Sequence, residues 1–160
     1  MGEEILVVDE NNGVQQALKR FLTQNGYSVA VAGNVPMAMS LVRQLRPSLV
    51  ILDIKMPRFD GIEFIHLLEE EAPALPIVTM TAYPTFFTRE EALKSGSNAY
   101  VTKPFDPQEI LKHVRQLLLR EPGQTNTGGQ HHEIPYSKTC EVSLESGITG
   151  KNPSTGKTKK

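Results

Sequence analysis

One apolar segment that ends in an aspartate constrains this chain more than any other feature of its sequence. Residues 49–52 are all aliphatic, and they lead directly into Asp53. Pro57 and the pair Asp60-Gly61 then turn the chain into an amphipathic segment, which is typical of a strand followed by a loop and a helix. In an open α/β sheet, chemistry takes place just outside the carboxyl ends of the strands. Asp53 is therefore predicted to be a metal ligand, a general base or a covalent phosphate acceptor.

The same pattern of strand then helix repeats along residues 5–118. Short apolar runs predict buried strands at residues 5–8, 27–31, 49–52, 77–80 and 99–101. Apolar residues at helical spacing follow each run, at residues 14–22, 37–45, 62–68, 87–94 and 110–118. Asn34, Asp60 and Asp106 stand where helix N-caps are expected. This alternation indicates a doubly wound α/β fold, with a five-stranded parallel sheet in the order 2-1-3-4-5 and helices on both faces.

Composition predicts one folded domain in a cytoplasmic protein. The chain has 160 residues and a formal net charge of −1, which gives no strong attraction to nucleic acid or to a membrane. Its single cysteine, Cys140, cannot form an internal disulfide, and no stretch is long and apolar enough to span a bilayer. Residues 3–121 are predicted to form the domain, and the polar residues 122–160 a low-complexity, disordered tail. Because no helix-turn-helix pattern follows residue 121, we expect no direct binding to DNA.

Five polar side chains are expected to meet at the carboxyl edge of this sheet. Asp9 and Glu10 follow the first strand, and Asp53 follows the third. Thr81 ends the fourth strand, and Lys103 follows the fifth. Two carboxylates about 4 Å apart repel by about 4 kcal/mol at an effective dielectric constant of 20, so three together favour a hard cation. Oxygen ligands suit Mg²⁺, and a neighbouring ammonium and hydroxyl are groups that stabilise a transferring phosphoryl group.

Four short motifs occur in order along residues 3–121. They are Val7-Val8-Asp9-Glu10, Asp53-x-x-Met56-Pro57-x-x-Asp60-Gly61, Met80-Thr81-Ala82 and Ala99-Tyr100-x-Thr102-Lys103-Pro104-Phe105. In this order and spacing, the motifs resemble the receiver domain of two-component response regulators. The resemblance implies a flavodoxin-like fold and a signalling switch rather than a metabolic enzyme.

The resemblance also implies a phosphate acceptor and a metal site. Asp53 would accept a phosphoryl group from a sensor histidine kinase or a histidine phosphotransfer protein. Asp9, Glu10 and Asp53, together with the backbone carbonyl of Lys55, would hold Mg²⁺. The acidic pair of this family is commonly Asp-Asp, whereas this chain has Asp9-Glu10. The longer side chain of Glu10 would therefore shift the ion or its water ligands.

A switch and an output surface follow from the same resemblance. Thr81 would bond a phosphoryl oxygen and move together with Tyr100, while Lys103 would contact the phosphate. The peptide bond between Lys103 and Pro104 is expected to be cis. The face formed by the fourth helix, the fifth strand and the fifth helix would then bind a downstream effector protein. The chain is expected to be a monomer or a weak, phosphorylation-dependent dimer.

Three other interpretations remain open from the sequence. The chain is also compatible with the N-terminal receiver part of a longer transcriptional regulator. A phosphatase of the haloacid-dehalogenase type would use the same nucleophile, although Lys55 stands where that class has a second aspartate as acid and base. A flavin-binding protein of the same fold would need Ser, Thr and Gly after the first strand, where this chain has Asp9-Glu10.

Overall fold

The computed structural model describes residues 2–84 and 86–119. Its strands are β1 Glu4–Val8, β2 Ser28–Ala32, β3 Leu49–Asp53, β4 Lys55–Met56, β5 Phe59–Asp60, β6 Ile77–Thr81 and β7 Ala99–Thr102. Its helices are α1 Asn12–Gln24, α2 Val35–Leu45, α3 Gly61–Glu71, α4 Phe86–Lys94 and α5 Pro107–Leu118. None of these helices is long and apolar enough to cross a membrane. The predicted tail at residues 122–160, with Cys140, lies outside the described residues.

Five of the strands form one parallel sheet in the order β2-β1-β3-β6-β7. Counted along this sheet alone, that order is the predicted 2-1-3-4-5, so the fold prediction is confirmed. No strand boundary differs from the predicted one by more than one residue. For example, β2 begins at Ser28 rather than at Tyr27. This order makes β1, β3 and β6 neighbours, and it brings their carboxyl ends to the same edge of the sheet.

The sheet is covered on both faces, which is why its central strand is apolar without interruption. Every residue of β3 is buried. Val50 and Leu52 pack into one core with α2 and α3, whereas Leu49 and Ile51 pack into the other core with α1 and α5. Successive side chains of a strand point to opposite faces, so each face receives alternate residues of this run.

Side-chain caps fix where the helices begin. An Asn or Asp oxygen accepts a backbone N–H in the first turn of four helices: Asn11 from Val14, Asn34 from Met37, Asp60 from Ile62 and Asp106 from Gln108. A cap of this kind contributes about 1 kcal/mol to a helix. The predicted caps at Asn34, Asp60 and Asp106 are confirmed. These caps fix where α1, α2, α3 and α5 begin after the strands that precede them.

The loop after Asp53 contains a small antiparallel hairpin, β4 with β5, that the sequence does not predict. Strands of two residues leave no periodic pattern to read. Gly61 closes this loop, since its N–H donates to the carbonyl of Ile54 at 3.0 Å. A Cβ on Gly61 would lie 2.6 Å from the Cα of Ile54, so only glycine permits this approach. The contact holds the backbone immediately after Asp53 in place.

Candidate functional site

The carboxyl edge of the sheet holds the predicted polar residues on adjacent strands and loops. Asp53 ends β3, and Met80 of β6 is its partner in the neighbouring strand. Thr81 ends β6 and pairs with Thr102, the residue before Lys103. Asp9 directly follows β1, and its N–H donates to the carbonyl of Ala32 at 3.1 Å. The fold therefore places an acidic centre between two strands and a lysine at one side of it.

Lys103 joins the two buried carboxylates of this edge. Its Nζ donates to Asp9 Oδ2 at 2.6 Å and to Asp53 Oδ2 at 3.0 Å. The exposed fractions of the side chains are 16% for Lys103, 1% for Asp9 and 11% for Asp53, so the cluster is largely shielded from water. Charged groups so far from water are stable only when they are paired and hydrogen-bonded. With one ammonium and two carboxylates, the cluster keeps a formal charge of −1, and Lys103 is its most exposed member.

Backbone N–H groups hold the second oxygen of each carboxylate. Asp9 Oδ1 accepts from the N–H of Asn11 at 2.8 Å, and Asp53 Oδ1 accepts from the N–H of Lys55 at 3.0 Å. Lys103 is anchored in turn, because its own N–H donates to the carbonyl of Thr81 at 2.7 Å. The Lys103–Pro104 peptide bond is cis, as predicted. All three charged side chains are therefore fixed by their backbone as well as by one another.

Burial and ion pairing have opposite effects on the pKa values of Asp53 and Lys103. Burial raises the pKa of Asp53, and the charge of Asp9 adds to this effect, whereas the bonds from Lys103 and from the Lys55 N–H oppose it; the net direction is upward. Burial lowers the pKa of Lys103, but its hydrogen bonds to Asp9 and Asp53 outweigh burial, and the net direction is again upward. Lys103 therefore keeps its proton, and its charge favours the ionised form of Asp53.

The predicted metal ligands are only partly brought together. The side chain of Glu10 is exposed, and no group of three or more His, Cys, Asp or Glu side chains suited to a metal occurs within residues 2–84 and 86–119. Asp9 and Asp53 share one ammonium, and both offer the carboxylate oxygens that a hard cation prefers. The donor set therefore fits Mg²⁺ through these two residues. The assignments of Glu10 and of the Lys55 carbonyl stay predictions.

Thr81 and Tyr100, the predicted switch pair, are both turned into the protein. Thr81 is fully buried, and its Oγ1 accepts from the N–H of Tyr83 at 3.1 Å. The Tyr100 hydroxyl is buried without a hydrogen-bond partner among the described residues, and its ring packs against the α2–α3 core. Burial raises the pKa of Tyr100, with the charge of Arg89 opposing. The hydroxyl of Tyr100 therefore points inward, towards this core.

One polar residue of the site, Gln15, is missing from the sequence interpretation. Gln15 shares the buried stripe of α1 with Leu18 and Leu22. Its side-chain Nε2 donates to the backbone carbonyl of Asp9. The signal in the sequence is a glutamine on the apolar face of α1, where Leu18 and Leu22 also lie. A buried amide at such a position requires a hydrogen-bond partner.

A match to a protein family assigns the domain that carries this site. The model of the response regulator receiver domain matches residues 5–115. The chain belongs to the response regulator receiver domain family. The motifs that carried the resemblance, around Asp9, Asp53, Thr81 and Lys103, all lie within this receiver domain, and the predicted family is confirmed.

Similar proteins and solved structures agree with this assignment. Response regulator MprA of Mycobacterium sp. (strain KMS) is 40% identical over 120 residues, which are 75% of this chain and 52% of that protein. The chain thus spans about half the length of the curated relatives it matches. The receiver domain of the Francisella response regulator 1452 is 29% identical with a TM-score of 0.69, and the match covers 73% of this chain and 97% of that one. Chemotaxis protein CheY4 of Vibrio cholerae is 25% identical with a TM-score of 0.70, over 74% and 100% of the two chains.

Proposed function

We propose that this receiver domain is a phosphorylation-activated signalling switch that accepts a phosphoryl group on Asp53 from a sensor histidine kinase or a histidine phosphotransfer protein. The observation that carries the proposal is the contact of Lys103 Nζ with the carboxylates of both Asp9 and Asp53 at the carboxyl edge of the sheet. A carboxylate nucleophile beside a fixed ammonium is suited to phosphoryl transfer, in which catalysis consists mainly of positioning and of charge stabilisation.

The transfer step follows from the groups at this edge. An Asp53 oxygen forms a bond to phosphorus while the bond between phosphorus and the donor's imidazole nitrogen breaks, and the imidazole leaves with its electron pair and takes up a proton. Lys103 lies within hydrogen-bond distance of Asp53 and would contact the added phosphoryl oxygens. Asp9 and Asp53 would hold Mg²⁺, with Glu10 and the Lys55 carbonyl as further candidate ligands. Mg²⁺ would offset negative charge on the transferring group.

The response to phosphorylation requires more than one contact. Inverting a population from 1:99 to 99:1 takes about 5.5 kcal/mol of differential stabilisation. A hydrogen bond to a charged group contributes about 1.5 to 3 kcal/mol, so the Thr81 hydroxyl alone is insufficient. Lys103 and the cation must contribute the remainder. The Thr81 hydroxyl would exchange its bond with the Tyr83 N–H for one with the phosphoryl group, and Tyr100 would respond to that movement.

The output surface is the face formed by α4, β7 and α5. Tyr100 lies on β7, Arg89 on α4 is close enough to influence its pKa, and Leu93 on the same helix is exposed. A downstream effector protein would bind this face differently in the two states. We further propose a cytoplasmic location, a monomer or weak phosphorylation-dependent dimer, and no catalytic activity beyond transfer to and loss from Asp53.

The test is phosphorylation by a small phosphodonor such as acetyl phosphate in the presence of Mg²⁺. Intact-mass spectrometry should show the gain of one phosphoryl group on the unmodified chain and no gain on Asp53→Asn. Asp60→Asn is the matched control, because Asp60 serves as a helix cap and asparagine caps equally well. It should be phosphorylated at the rate of the parent chain. Unchanged mass of the parent chain after incubation, or equal labelling of Asp53→Asn, would contradict the proposal.

A further inference from the structure

We propose that Gln15 is a positioning residue of the phosphorylation site, which orients Asp9 for cation binding through a hydrogen bond to the Asp9 backbone carbonyl. This inference rests on the proposed function, because it concerns the affinity of that same site for Mg²⁺. Gln15 touches neither the phosphoryl donor nor Asp53. It acts through Asp9, and it does so from the first turns of α1.

The bond of Gln15 is required by its burial. The side chain is 8% exposed, on the inward stripe of α1. A primary amide removed from water loses its hydration, and this loss is unfavourable unless the amide finds hydrogen-bond partners in the protein. The Asp9 carbonyl accepts from its Nε2. Two buried polar groups therefore satisfy each other, and neither has water as an easy substitute.

Four different hydrogen bonds fix Asp9, and each comes from a different part of the fold. Its N–H donates to the carbonyl of Ala32 at the end of β2, and its carbonyl accepts from Gln15 Nε2. Its Oδ1 accepts from the N–H of Asn11, and its Oδ2 accepts from Lys103 Nζ. The carbonyl bond sets the plane of the peptide between Asp9 and Glu10. That plane determines how the loop leaves the strand, so Gln15 orients both members of the acidic pair at once.

Gly33 lies directly against this amide. A Cβ at position 33 would lie 3.4 Å from Gln15 Nε2, which is ordinary van der Waals contact. Gly33 follows β2, the strand that also receives the Asp9 N–H at Ala32. The backbone after β1 and the backbone after β2 therefore both lie beside the Gln15 amide, which is part of the packed frame of the site.

The main test replaces the amide by a side chain of similar shape without a donor. Gln15→Met leaves the Asp9 carbonyl buried and unpaired, and the loop must reorient to find another partner. Residues that orient metal ligands typically change affinity by 10- to 100-fold, and we expect the dissociation constant for Mg²⁺ to rise about tenfold. Gln16→Met is the matched control, because Gln16 is exposed on the same helix. It should leave the affinity unchanged.

Two readouts separate positioning from a general loss of stability. Calorimetric titration of the unphosphorylated protein gives the Mg²⁺ affinity directly. The rate of phosphorylation by acetyl phosphate should fall in Gln15→Met at low Mg²⁺ and recover at saturating Mg²⁺. A merely structural role would lower the unfolding midpoint without shifting the half-saturating Mg²⁺ concentration. An affinity of Gln15→Met equal to that of Gln16→Met would overturn the inference.

A measurement on the unmodified, metal-free chain tests the bond itself, even if Gln15→Met fails to fold. NMR should detect a scalar coupling across the hydrogen bond, between Gln15 Nε2 and the Asp9 carbonyl carbon, and none from the exposed Gln16. Absence of this coupling overturns the inference. Failure of the proposed function is distinguishable, because the parent chain would then take up no phosphoryl group on Asp53 whatever Gln15 does.

Discussion

Removal of the Lys103 ammonium should destabilise this receiver domain strongly, and Mg²⁺ should reverse much of the loss. Lys103→Met keeps the length and apolar stem of the side chain but deletes the ammonium that contacts both Asp9 and Asp53. The two carboxylates would then face each other at the carboxyl edge without a counter-charge. The variant should fold, with a reduced free energy of unfolding at neutral pH and without divalent cations.

The magnitude follows from the burial of the three side chains. Removing one partner of a buried ion pair costs about 3–5 kcal/mol, because an uncompensated charge is left behind. The opening at Lys103, which is 16% exposed, lets water relieve part of this cost. We therefore expect a loss of about 3 kcal/mol, at the lower end of that range. A cation present at 100 times its dissociation constant stabilises the folded state by about 2.7 kcal/mol. We expect Lys103→Met to bind Mg²⁺ more tightly than the parent chain, whose carboxylates already share the Lys103 ammonium, so saturating Mg²⁺ should close most of the gap.

Urea unfolding followed by far-UV circular dichroism measures this effect, with EDTA in one series and Mg²⁺ in the other. The slope of the unfolding free energy against urea should be unchanged, since the same surface is exposed. Lys94→Met is the control, because Lys94 pairs with Glu90 on the surface, where a salt bridge contributes about 0–1 kcal/mol. In the double variant Asp53→Asn with Lys103→Met, removing one of the two charges should restore part of the loss.

Two results would refute this reasoning about the cluster. One is an unfolding free energy of Lys103→Met that lies within experimental error of the parent chain in EDTA. The other is an equal stabilisation of the two proteins by Mg²⁺, which would mean that the lysine and the cation do not compensate the same charges. Either result would show that the carboxylates are neutralised in some other way, for example by taking up a proton.

Three further predictions concern single residues. Burial lowers the pKa of His113 against the charge of Glu109, so the unfolded chain binds the proton more readily. Stability should therefore fall as the pH drops below about 6.5 and level off below the folded-state pKa, and His113→Gln should flatten that part of a pH series of urea midpoints. Gly61→Ala would press a Cβ against the Ile54 backbone at 2.6 Å, and it should lower both the unfolding free energy and the rate of phosphorylation by acetyl phosphate. Tyr100→Phe removes a buried hydroxyl without a partner in the described part of the chain, so calorimetry should find a neutral change or a stabilisation of about 1 kcal/mol.

The order of the sheet and the edge where its polar residues meet could be predicted because both follow from periodic patterns. The apolar run before Asp53 and the one before Lys103 each predict a buried strand, and the alternation of strands and helices indicates the doubly wound order of the sheet. The bridge from Lys103 to two carboxylates could not be predicted, because a lysine side chain is long and its position depends on which charges surround it. The topology predicts that Asp9, Asp53 and Lys103 lie near one another, whereas the ion pairs between them become visible only in the side-chain geometry.

The features that the sequence does not reveal have physical reasons as well. Glu10 is exposed although it was predicted beside Asp9, because consecutive residues at the end of a strand point in different directions. The contact of Gln15 is not evident from the sequence because its partner is a backbone carbonyl, which every residue has. The hairpin after Asp53 is too short to show a period.

The separation of Asp9 and Lys103 along the chain, 94 residues, bears on how this domain assembles. Contacts between distant parts of a chain form late, since a long loop must close before they can contribute. The strand that precedes Lys103, β7, lies at one edge of the sheet, and it pairs with β6 rather than with either strand that carries an acid. A nascent chain that has emerged only as far as β6 therefore carries both acids without their counter-charge, and a dissolved cation is the natural substitute until the final strand is synthesised.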